Sequence, residues 1–366
     1  MAPDPIRQRL LEVLLEPGSP SARSWLESFE VPLRPDVSRE LSRLPLPAAS
    51  QKLTPAHLRR RIFLLTAQHA QRQNVDKLLE CGHRLAFELS QRTIPCMILK
   101  GGALNLFYPE VFPGFRSMGD VDLLVPSDCS ERAIAAALDL GFLLPARCKG
   151  RWRIVFNEAH LWTDDGCMLD LHWRLRRAGF RDAELWAAAE WKDWDGVPIA
   201  CLNPADLLLH LCAHALPGYD RPDVRWIVDC LTILRSRSVD WDRFVHQAGR
   251  QHLALALLET LPLLRLYSEL PAGLEQRLAA IEVGWLERAC HVLDRDEFSH
   301  PHAAPATVLK NAFVRYATMS EHIGFYEFMS TSLGAESMVD MLLRLSRRAW
   351  GRTRKWLGGG LSSVAS

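Results

Sequence analysis

The sequence predicts an α+β protein in three parts: an N-terminal helical segment over residues 1–74, a small mixed β-sheet core over 75–200, and a C-terminal helical domain over 201–366. Short apolar runs bounded by Gly, Pro and Asp cluster between residues 94 and 173, as strands do. Apolar residues recur at helical spacing before and after them. Asp164-Asp165-Gly166 joins two of the runs as a hairpin turn.

Composition narrows the function classes. The chain has 366 residues, 48% apolar and 24% charged, and a net charge of +1, so no global field favours a polyanion. The start, MAPDPIRQRLLEVLLEP, has no signal-peptide core. No run approaches the about 20 apolar residues of a membrane span. These features predict a cytoplasmic protein with no membrane insertion. Nine cysteines sit singly in apolar segments with no C-x-x-C, which predicts reduced thiols rather than a disulfide frame or a zinc site.

Thr54-Pro55 starts a helical pattern. Leu58, Ile62 and Leu65, then Val75, Leu78, Leu79 and Leu85, form one helix or two meeting near Gln73-Asn74. IPCMIL (94–99) reads as a buried strand, and ALNLFY after Gly101-Gly102 as one or two helical turns. DVDLLV (120–125) is a second strand. Ser127 caps a helix that Gly141 ends. RIVFNEAHLWT (153–163) and CMLDLHW (167–173) are two further strands. Asn203-Pro204 starts a helix that stops at Pro217-Gly218, and helical patterns follow near 222–236, 240–266, 272–294, 306–319 and 336–356.

The carboxylates carry the chemistry. Side chains alternate along a strand, so Asp120 and Asp122 share one face of DVDLLV, and Asp170 and His172 share one face of CMLDLHW. Clustered carboxylates repel unless a proton or a cation lies between them. A divalent ion meets that need, and oxygen ligands favour magnesium over zinc. A type I turn with Gly166 as a left-handed bulge residue pairs Thr163 with Cys167 and sets His160 opposite Asp170; a two-residue loop would break that register.

With ILKGGALNLFY (98–108), FRSMGDVDLLV (115–125) and MLDLHW (168–173), the chain resembles the DNA polymerase β-like nucleotidyltransferase superfamily. It is most similar to the branch of uncharacterised nucleotidyltransferases, some of them found in lasso-peptide and other peptide-maturation gene clusters. PADLLLHLCAHAL (204–216) and VRWIVDCLTIL (224–234) fit the same branch, so the resemblance covers about 75–235. It implies a nucleotidyltransferase core in which Asp120, Asp122 and Asp170 hold two magnesium ions. Asp170 would also help deprotonate the acceptor. Gly101-Gly102 would admit a triphosphate to a helix start. Lys100 and Arg116 would be its nearest cations, Ser117 a hydrogen-bond donor, and His160 and His172 neighbours of the site. The implied donor is a nucleoside triphosphate, ATP by default. The implied acceptor is a hydroxyl or phosphate, with a peptide as one class; nucleic acid is open but not favoured.

Asp206, His210 and His214 share a helix face at i, i+4, i+8 and support a rival reading, a metal-dependent hydrolase, although helical histidines of this kind more often pack. A non-catalytic binding protein keeping the fold is a third reading. Arg225 and Asp229, one turn apart, would pair with each other. RLSRRAWGRTRKW (344–356) carries six basic residues and reads as a solvated basic helix or tail.

Overall fold

The structure, a computed structural model, describes residues 58–108, 116–145, 152–175, 182–215, 225–299 and 324–333, with isolated positions outside these stretches. The patterns before residue 58, the Pro217-Gly218 stop, most of 306–319 and the basic 344–356 segment, Arg344 apart, lie outside the described residues.

Helix α1 (Leu58–Gln91) is one helix of 34 residues and continues through Gln73-Asn74. It buries Val75, Leu78, Cys81, Leu85 and Leu89 at helical spacing. Gly82 has a packing reason: a Cβ there would meet Val121 Cγ2 at 3.0 Å, so glycine lets the helix lie close against the sheet. Strand β1 is short (Met97–Ile98). Helix α2 (Lys100–Phe107) follows after one residue. Strand β2 (Val121–Leu124) is buried throughout. A 3-10 turn (Ser127–Cys129) leads into α3 (Ser130–Asp139), and Gly141 takes φ +85° beyond it.

The run 153–163 is not all strand. Trp152–Val155 forms a helical turn, α4, and β3 spans Glu158–Trp162. Tertiary packing outweighs the β-branched residues here. Trp152 meets Trp173 edge to face at 5.4 Å, and Trp173 Nε1 donates to the Arg153 carbonyl at 3.1 Å. Strand β4 (Met168–His172) closes the hairpin. Thr163 N donates to Cys167 O at 3.1 Å and Gly166 takes φ +84°, so the bulged turn forms and pairs His160 with Asp170 as its geometry anticipates.

After α5 (Asp182–Ala187) comes a second hairpin that sequence reading missed, β5 (Glu190–Trp194) and β6 (Val197–Cys201). Asp195 and Gly196 make its two-residue turn with φ +48° and +85°. The six strands run β3-β4-β2-β1-β6-β5. Pairs β2/β4 and β1/β6 are parallel and the others antiparallel, a mixed sheet.

The rest is helical: α6 (Pro204–Ala215), α7 (Arg225–Ser236), α8 (Trp241–Arg250), α9 (Ala254–Arg265), α10 (Leu274–Ala279), α11 (Trp285–Ser299) and α12 (Phe325–Leu333). Asn203 Oδ1 caps α6 through Ala205 N and Asp206 N. The pattern at 240–266 is two helices, broken where His252 takes φ +55°, and that at 272–294 also divides. One apolar cluster from Val75 to Leu278 joins the sheet to these helices. A second sets Phe328, Met329 and Leu333 of α12 against Val155. Among the described residues no helix is long and apolar enough to cross a membrane.

One cysteine expectation is corrected. Cys81 on α1 and Cys167 before β4 form a disulfide across 86 residues, and the other seven cysteines are free. Helix and strand bring the two sulfurs together in the fold, which sequence spacing does not show. Reduction should lower stability by about 2–4 kcal/mol. Urea unfolding with and without reductant measures this. Thiol counting on the unreduced, denatured chain should find seven groups; nine would refute the pairing.

Candidate active site

Strand pairing assembles the acids. The parallel register puts Asp122 beside Asp170, and the antiparallel register puts Asp170 beside His160. The next row on this face runs Glu158, His172, Leu124. Residues paired in register project to one side of the sheet. His160 Nδ1 therefore lies 2.6 Å from Asp170 Oδ1, and His172 Nε2 lies 3.0 Å from Asp122 Oδ1. Asp120 precedes β2 and is exposed.

Asp122 is buried but compensated. Lys100 Nζ donates to its Oδ1 at 2.5 Å, and His172 approaches the same oxygen. Burial alone would raise the Asp122 carboxyl; Lys100 and His172 outweigh it and hold it far below the carboxylate range. Burial likewise opposes charge on His172, yet Asp122 and Glu158, whose Oε2 is 2.9 Å from Nδ1, raise it to about 9. Glu158 falls to about 2, because His172 outweighs its burial. Lys100 is raised, since Asp122 overcomes desolvation. Asp120, though its side chain reaches solvent, is raised by desolvation at the cleft wall and by its neighbours Asp122 and Asp170. Lys100 takes φ +45°, a left-handed conformation that costs a non-glycine residue about 1–2 kcal/mol.

Ligand atoms of Asp122, Asp170 and His172 lie within 4.8 Å of one another, close enough to hold one ion. This group differs from the expected Asp120, Asp122 and Asp170, since His172 enters it and Asp120 stands outside. Asp122 and Asp170 supply carboxylate oxygens for a divalent cation, whereas His172, raised to about 9 between Asp122 and Glu158, would have to lose its proton to join them.

The glycine pair has a packing role. Gly101 and Gly102 lie within the first turn of α2. A Cβ on Gly101 would meet Met118 Cγ at 2.8 Å, and one on Gly102 would meet Ile98 Cδ1 at 2.6 Å. Asn105 ties this helix to the strand approach: its Oδ1 accepts from Arg116 N at 2.5 Å and its Nδ2 donates to Arg116 O at 2.8 Å. Arg116 is bound to α7 rather than presented alone. Its Nε and Nη2 donate to the two oxygens of Asp229 at 2.8 and 2.7 Å. Asp229 thus pairs with Arg116, whereas the sequence suggested Arg225. Ser117 is buried, and its Oγ has no hydrogen-bond partner in the structure.

A cleft of about 210 Å³ opens between the sheet and helices α6 and α7. Lys100, Gly101, Arg116, Asp120 and Asp122 line its sheet side; His214, Trp226 and Asp229 line its helical side. His214 therefore faces the cleft. Asp206 does not serve as a ligand in this arrangement: it is buried and accepts from Arg243 Nη2 at 2.6 Å and Asn203 Nδ2 at 2.6 Å. His210 is buried with its ring 4.7 Å from that of His214. Sequence reading missed Glu158, two residues from His160 on the same strand face, and the Asp229 partner of Arg116.

The family described as uncharacterised nucleotidyltransferase matches residues 37–268. An antigenic nucleotidyltransferase-like protein from Paracoccidioides brasiliensis is similar in structure at 17% identity and a TM-score of 0.37, covering 56% of this chain and 93% of that one. At that score the likeness carries no argument. No curated protein matches.

The Arg116–Asp229 pair is largely buried, with side chains 12% and 5% exposed. Asp229→Ala should cost about 3 kcal/mol by stranding the guanidinium, and Arg116→Met/Asp229→Leu should recover most of it. Urea unfolding of the single and double variants tests this; additive losses would contradict the coupling.

Proposed function

The chain belongs to the uncharacterised nucleotidyltransferase family, and from that premise we propose that it moves an NMP group from an NTP, ATP by default, to an acceptor hydroxyl or phosphate with release of pyrophosphate. The observation that carries this reading is the in-register pairing of Asp122 with Asp170. Asp120, Asp122 and Asp170 would hold magnesium, with two ions as in the resemblance. Bound magnesium would supply charge stabilisation at the attacking and leaving oxygens.

The chain's own residues do the positioning. His172 and Glu158 fix Asp122. His160 orients Asp170, which would take the acceptor's proton. Lys100 sits beside Asp122 at the cleft and would neutralise phosphate charge. Arg116, anchored on Asp229, sets the segment that leads into β2. A hydroxyl or phosphate on a ribosomally made peptide is the acceptor class we propose, by likeness to branch members in peptide-maturation clusters. A cytoplasmic location is likewise a proposal, and the disulfide argues against a strongly reducing compartment. The hydrolase reading loses ground because Asp206 is already bonded to Arg243.

Calorimetric titration of ATP with magnesium, and again with EDTA, tests the reading. Binding should require magnesium and weaken at least about tenfold in Asp120→Asn, the exposed acid least needed for folding, and in Asp122→Asn. His210→Ala should retain it. Equal binding in EDTA, or by both aspartate variants, would overturn the assignment.

A further inference from the structure

The two walls of the cleft differ in chemistry. On the sheet side lie Lys100, Asp120 and Asp122. On the helical side, Leu211 and Ala215 of α6 stand with Trp226 of α7. Trp226 is half-buried against the core and, beside the smaller imidazole of His214, is the large aromatic side chain lining the cleft among the described residues. Of the charged lining side chains that could read a base edge, Arg116 and Asp229 are bonded to each other, as are Lys100 and Asp122. A nucleotide has the same division: a metal-bound polyphosphate at one end and a flat, apolar-faced base at the other.

We infer that Trp226, backed by Leu211 and Ala215, is the platform on which the donor's base stacks, and that stacking rather than hydrogen-bond readout sets donor preference. This rests on the nucleotidyl-transfer reading. Trp226 is a half-buried indole, and stacking on an aromatic ring is open to every base because each has a π-face. The larger purine rings cover more of it. The donor therefore lies with its phosphates toward Lys100 and the acids and its base toward α7. ATP and GTP bind alike, and both bind more tightly than CTP and UTP.

The test uses the full chain with magnesium and two kinds of probe: the four NTPs, and inorganic tripolyphosphate, which has no base. Trp226→Ala should weaken ATP and GTP by about tenfold, the scale of one lost stack, and leave tripolyphosphate unchanged. Trp226→Phe, which keeps a ring and fills more of the packing space, should retain most of the nucleotide affinity. Unchanged ATP binding by Trp226→Ala overturns the inference and leaves nucleotidyl transfer standing. Equal loss of ATP and tripolyphosphate also overturns it, because Trp226 then acts through the fold. A strong preference of wild type for ATP over GTP overturns the stacking-only readout. Absence of magnesium-dependent binding of every probe to wild type removes the underlying reading and this inference with it.

Discussion

The structure depends on holding two carboxylates side by side in a parallel ladder. Asp122 and Asp170 are direct partners on β2 and β4. Two unit charges about 5 Å apart repel by about 3 kcal/mol at an effective dielectric of about 20. The fold offsets this from both sides. Lys100 and His172 converge on one oxygen of Asp122, Glu158 balances His172, and His160 bonds Asp170. Lys100 reaches its place from a left-handed backbone conformation at the start of α2. Removing Lys100 or His172 would leave the buried Asp122 charge uncompensated.

The surrounding elements serve that row of side chains. Gly82 lets α1 press on Val121, beside Asp122 in the chain. Gly101 and Gly102 let α2 close over Met118 and Ile98. The disulfide fixes α1 to the start of the strand that carries Asp170 and His172. Across the cleft, Asp229 grips Arg116 with both oxygens and links the segment before β2 to α7. The apolar cluster that runs from the sheet into α6–α10 makes this link stiff, so sheet wall and helical wall keep their spacing.

Much of this was legible in sequence, for local reasons. Strand alternation placed Asp170 with His172, and the parallel register brings Asp122 to the same face. The Gly166 bulge fixed the His160–Asp170 pairing, because turn geometry sets register in a hairpin. What failed was non-local. The Asp195-Gly196 turn carried a hairpin signal, but its flanking strands hold Lys192, Asp193 and Pro198, which mask the pattern. Trp152–Val155 is helical because Trp152 packs on Trp173, a contact no window of sequence contains. The Cys81–Cys167 bond, the Arg116–Asp229 pair and the packing gaps at Gly82 and Gly101 all join segments apart in the chain. The assignment of nucleotidyl transfer rests on the family match together with the acids, not on either glycine.

The most direct measurement is anomalous diffraction from crystals grown with manganese and a non-hydrolysable NTP analogue. The account predicts a manganese peak bound by Asp122 and Asp170, with the analogue's phosphates beside it. A peak at Asp206, His210 and His214, with none between Asp122 and Asp170, would contradict it.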